Sequence, residues 1–135
     1  MPAFSLFPSD HKEEVVAMIR RLGHLFLSGI FITGGFKAFL NPGYRVNPVA
    51  KAGIPEPKLA VEVNGMAMTI GGAMLALDLA PKLAAAILIG CLVPTTIVGH
   101  PFWSETDTNT RNNQQVQFFK NLGLLGGLLI VLLEK

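Results

Sequence analysis

Charge is scarce in this 135-residue chain: Asp, Glu, Lys and Arg together make up 15% of it, with a formal net charge of +2. A soluble domain of this size keeps about a quarter of its residues charged. The small net charge and the lack of any basic run exclude nucleic acid as a partner. Cysteine occurs once, at Cys91, so an intramolecular disulfide is excluded, and a lone thiol says nothing about redox compartment. There is no internal repeat or low-complexity tract. No C-x-x-C, phosphate loop or Ser-His-acid arrangement occurs, and His11, His24 and His100 are too scattered for a metal-ligand set. Cys91 lies in an apolar stretch, where a thiol is ordinarily inert. The residues by themselves therefore assign no catalytic group and no reaction.

What is abundant is hydrophobicity, at 50% of residues with a mean hydropathy of +0.47. It comes in long blocks, too continuous for the stripe of a soluble amphipathic helix. Four blocks cover about 15–40, 59–79, 82–99 and 116–133, and each reaches the roughly 17–25 residues that a spanning helix needs. The expectation is an all-α, integral membrane, up-down four-helix bundle forming one domain over 1–135. The first fifteen residues, with Pro2, Pro8, Asp10, Glu13 and Glu14, do not have the layout of a cleavable signal, so the first block is expected to stay as an anchor. Pro/Gly-rich 41–57 reads as a long surface loop, Ala80-Pro81 as a tight turn opening the third helix, and polar 101–115 as a loop with a short helical piece.

Four spans put both termini on one side and both long loops on the other. Lys and Arg divide five to the terminal side and six to the loop side, so their count does not orient the chain. Arg20 and Arg21, flanking the first helix, favour termini on the cytoplasmic side. Small residues give expectations about packing. Gly123 and Gly127 form G-x-x-x-G, and Ala86, Gly90 and Pro94 recur every fourth residue. Such stripes let helices approach closely, either within this bundle, the ordinary reading, or against another subunit. Pro94 frees the carbonyl of Gly90, which Thr95 or Thr96 is placed to help satisfy.

Polar residues gather at the loop end: Lys37, Glu62, Asn64, His100, Trp103, Gln117, Lys120 and Asn121. The opposite end is plainer, with Asp78 and Lys82 near the turn and Arg20 and Arg21 at the start of the first helix. Ionisable groups just inside a span are costly unless they pair or snorkel, so Glu62 with Lys37 or Lys120 is a candidate buried pair; snorkelling is the alternative for each lysine. His100 suits proton transfer or a hydrogen bond to a quinone-like carbonyl; the ordinary alternative is an interfacial histidine bonded to a loop carbonyl. Trp103, Phe102 and Tyr44 fit an interfacial aromatic belt.

Four segments resemble the DoxX family of small bacterial membrane proteins: "FLSGIFITGGFKAFLNP" (26–42), "AGIPEP" (52–57), "LVPTTIVGHPFW" (92–103) and "QFFKNLGLLGGLL" (117–129). The likeness extends over roughly 18–133 and is strongest to the actinobacterial branch. It implies a four-helix plasma-membrane protein associated with redox physiology, the family being related to a thiosulfate:quinone oxidoreductase subunit. Quinone is the one cofactor that the resemblance brings in, and the bilayer, other membrane subunits or an oxidoreductase are the partners. The polar positions that match are Lys37, His100, Trp103, Lys120 and Asn121; Glu62 is not among them. Two functions compete: a redox-linked subunit that binds a quinone or docks an oxidoreductase at the polar end, and a non-catalytic accessory subunit of a respiratory or photosynthetic complex. A channel or transporter is the weaker third reading, because four short helices enclose little space and no inverted repeat is apparent.

Overall fold

The computed structural model describes residues 8–135. Residues 1–7, part of the segment expected to lack a cleavable signal, lie outside the described residues. Five α-helices follow one another: α1 (Ser9–Leu40), α2 (Val46–Lys51), α3 (Pro57–Ala76), α4 (Pro81–Gly99) and α5 (Thr108–Leu132). Among the described residues there is no strand, and α1, α3, α4 and the helix regions of α5 are each long and apolar enough to cross a membrane. The expected four-span, all-α membrane bundle is what the chain forms.

Boundaries differ from the sequence expectation where polar residues are helical. α1 begins at Ser9 rather than near 15, and α5 begins at Thr108 rather than near 116. Asp107 caps α5, its side chain accepting the Thr110 amide at 3.0 Å, so a polar run that lacks apolar periodicity still enters a helix. The loop 41–57 folds into a 3₁₀ turn (Gly43–Arg45) and the short α2, and a second 3₁₀ turn (Phe102–Ser104) precedes α5. Pro57 and Pro81 open α3 and α4, where a missing N–H costs nothing. The tight α3–α4 turn is made by Asp78 (φ 55°) and Ala80 (φ 43°) in the left-handed region.

The surface is apolar rather than polar: Phe26, Val116, Ile130 and Leu133 are 66–81% exposed. A water-soluble bundle would bury such side chains; here they face lipid. The interior mixes apolar residues (Phe31, Leu75, Leu88, Leu92, Leu128) with polar ones (His24, Ser28, Thr96, Asn121), and among the described residues every buried side-chain polar atom has a partner.

α1 lies along α3, α3 along α4, and α4 along α5, whereas α1 and α5 hardly touch. The α1–α3 crossing is where backbones approach most closely. A Cβ at Gly35 would lie 2.7 Å from the Gly65 carbonyl oxygen, and one at Gly65 would lie 2.6 Å from the Gly35 carbonyl oxygen. Gly90 and Gly123, expected to pack within the bundle, have nothing within 4 Å of an added Cβ, and Gly127 only meets Leu27 at an ordinary 3.4 Å. The close contact joins helices that are distant in sequence, so a G-x-x-x-G search on one helix does not locate it.

At 32 residues α1 is about 48 Å long, well beyond the ~30 Å hydrocarbon core. His24 on α1 contacts Asp78 on the α3–α4 turn. The turns of α1 before His24 therefore project past that end of the bundle.

Candidate ligand cavity at the loop end

α4 carries the polar wiring of the bundle. Thr95 donates to the Cys91 carbonyl and Thr96 to the Leu92 carbonyl, both at 2.7 Å. Each hydroxyl oxygen then accepts an amide N–H from a neighbouring helix: Asn64 of α3 reaches Thr95, and Asn121 of α5 reaches Thr96, both at 3.0 Å. The threonines thus bond to Cys91 and Leu92, and not to the Gly90 carbonyl freed by Pro94. In lipid such bonds tie helices together, at about 0.6 kcal/mol each on average.

Below this wiring the four helices and the 43–54 segment enclose a cavity of about 520 Å³. Apolar side chains make most of its wall, and its polar lining includes Asn64, Thr95, His100, Gln114, Lys120 and Asn121. Arg45 also lines it, and no Asp or Glu does. His100 Nδ1 lies 2.6 Å from Gln114 Oε1, an atom that only accepts, so Nδ1 carries a proton and Nε2 is left for another partner. The partner is a side chain of α5, not the expected loop carbonyl. Lys120 donates to Gln117 one turn earlier on α5.

The sequence candidates separate into two groups. His100, Lys120 and Asn121 meet at the cavity, whereas Lys37, Glu62 and Trp103 do not line it. Glu62 does not pair with Lys37 or Lys120: Lys58, four residues earlier on the same face of α3, lies 3.8 Å from it, while Lys37 is exposed. Trp103 packs edge-to-face on Phe102 (5.3 Å) and Phe118 (5.8 Å), in keeping with an interfacial aromatic cluster.

The opposite end is not plain. His24, 2% exposed, places Nδ1 2.8 Å from Asp78 Oδ1 and Nε2 2.9 Å from Glu134 Oε2, and Arg21 lies 3.6 Å from Asp78. The partners are 54 and 110 residues from His24. The signal that could have found them is topological: a histidine at one end of the first span, a turn carboxylate and a carboxylate just past the fourth span share one end of an up-down bundle.

The family model described as DoxX matches residues 19–101, more than half of the chain. The chain belongs to the DoxX family. The matched stretch holds His24, Asp78, Asn64 and His100, while the α5 side of the cavity lies beyond it. The inner membrane protein YphA of Escherichia coli (strain K12) is 26% identical over 102 residues, covering 76% of this chain and 72% of that protein. No solved structure matches the chain.

Proposed function

We propose that this DoxX-family protein is a redox-linked subunit of the bacterial plasma membrane whose loop-end cavity binds the head of a quinone. The observation that carries the reading is the cavity's combination of size and lining. About 520 Å³ lies within the 300–1,000 Å³ typical of small-molecule sites, and apolar walls with a few convergent polar groups are their usual make-up. A quinone head presents carbonyl acceptors, which suit the Lys120 ammonium and the Arg45 guanidinium. Its quinol form presents hydroxyls, which suit His100 Nε2, since Nδ1 is committed to Gln114. The apolar wall suits an isoprenoid tail. An oxidoreductase that exchanges electrons with that quinone would dock at the same end, beside Trp103 and Phe118. Arg20 and Arg21 favour cytoplasmic termini, which turns this end away from the cytoplasm.

The test is to purify the protein from its native membrane in mild detergent and quantify extracted quinone by mass spectrometry. Near-stoichiometric quinone in the wild type, lost in His100→Ala and Lys120→Ala, supports the reading. Equal quinone in all three removes the cavity from the account.

A second reading, a non-catalytic accessory subunit of a respiratory or photosynthetic complex, is favoured by one observation: Gly90, Gly123 and Gly126 meet nothing within their own chain. In lipid, small residues on an outer face suit a neighbouring helix. Co-purification with a larger complex in fixed proportion would support this, and migration as a lone monomer would count against it.

A further inference from the structure

Among the described residues the most buried titratable side chain belongs not to the cavity but to His24. Three separate elements converge on its ring: α1, which carries it; the α3–α4 turn, through Asp78; and the segment just beyond α5, through Glu134. A carboxylate only accepts hydrogen bonds, so with both acids ionised both ring nitrogens must donate and the ring carries two protons. Imidazolium and the Arg21 guanidinium then balance the two carboxylates. Asp78, Glu134 and Arg21 are the charged groups in contact within this cluster.

A ring with one proton can satisfy only one of these acids, and the other then faces a bare nitrogen. The two acids are not held alike. Asp78 is fixed in a left-handed turn position, its amide bonded to the Leu75 carbonyl (3.1 Å), and Oδ2 lies 3.6 Å from Arg21. Glu134 follows the last turn of α5, hangs on a longer side chain and is anchored by a single backbone bond to Val131. Glu134 is therefore the partner that lets go. It also spans the least-packed seam of the bundle, where α1 and α5 otherwise meet only at contacts such as Leu27 with Gly127.

We propose that His24 is a proton-binding site operating a clasp between α1 and the end of α5: doubly protonated it ties the two helices, and singly protonated it releases Glu134. The loop-end cavity takes part of its lining from each of these two helices, Gly34 of α1 and Leu124 of α5 among them, so release bears on two of its walls. The clasp does not depend on what the cavity binds.

The test reads the seam directly. In a Cys91→Ala background, spin labels at Ile19→Cys and Ile130→Cys, which are 59% and 68% exposed, report the α1–α5 distance in bilayer discs. The series runs from about pH 5 to about pH 10. A narrow distribution at the acid end should broaden and lengthen at the alkaline end. Glu134→Gln should stay narrow throughout, because an amide either accepts from N–H or donates to the bare nitrogen. His24→Leu should be broad throughout, since leucine donates to neither acid. A wild-type distribution that ignores pH, or a Glu134→Gln protein that responds to pH like the wild type, overturns the clasp; if His24→Leu fails to fold, Glu134→Gln alone decides.

Discussion

Replacing Gly35 by alanine tests the packing account quantitatively. The added methyl would lie 2.7 Å from the Gly65 carbonyl oxygen, 2.8 Å from Met68 Cβ and 2.9 Å from the Thr69 nitrogen. Two of these three are backbone atoms of α3, so no side-chain rotation relieves the clash. Ordinary contact begins near 3.4 Å, so α1 and α3 must separate by about 0.7 Å at this point. A radial gap of about 0.5–1 Å forfeits a quarter to a half of each dispersion contact it opens. The contacts at risk are those along the whole crossing, including Phe31 and Ile32 against Gly72. Overpacking of this kind costs about 1–3 kcal/mol, and Gly35→Ala and Gly65→Ala should both fall in that range. Gly123→Ala, where the methyl meets nothing, serves as the control and should lie within about 0.5 kcal/mol of the wild type. Unfolding in mixed micelles of mild and denaturing detergent measures all three. Near-wild-type stability for Gly35→Ala, or an equal loss for Gly123→Ala, would refute the assignment of the close approach to α1 and α3.

Asn121→Leu removes the bond from α5 to Thr96 and should cost about 0.6–2 kcal/mol in the same unfolding assay. Lys58→Ala breaks an exposed i,i+4 pair with Glu62 and should change stability by no more than about 0.5 kcal/mol. Asp107 accepts from the Thr110 amide and hydroxyl, which hold its carboxyl below the ordinary aspartate range. A lowered pKa stabilises the fold above the unfolded value, about 3.9, and that contribution fades as pH falls through the folded value. Hydrogen exchange at the Thr110 amide should therefore lose protection in strong acid, and in Asp107→Ala protection should be low at every pH.

Hydropathy alone made the four spans legible, because each apolar block reaches the roughly 17–25 residues that a spanning helix needs. The ends were less so: Ser9–Glu14 and Thr108–Gln115 are helical but polar, and only a cap such as Asp107 marks where such a helix starts. At the loop end, topology placed His100, Lys120 and Asn121 at one end of the bundle, and all three line the cavity. For Glu62 it offered Lys37 or Lys120, whereas the ion pair is with Lys58 on its own helix, a pairing that a four-residue spacing already offered. It also passed over the His24 cluster, which depends on which face of α1 turns inward and on a carboxylate 110 residues away. Gly35 and Gly65 were equally hidden, since each is a single glycine whose importance appears only when two distant helices cross.

Trp103, the chain's one tryptophan, reports whether a quinone head enters the loop-end cavity. Its fluorescence would be followed in bilayer discs as a short-chain ubiquinone is added, for the wild type and for Gly34→Leu. Gly34 lines the cavity and has open space at its Cβ, so leucine fills the site without a clash at the backbone. With a quinone head in the cavity, quenching should saturate in the wild type and follow only the linear course of membrane-dissolved quinone in Gly34→Leu. Linear quenching in both proteins would rule the cavity out as a quinone site.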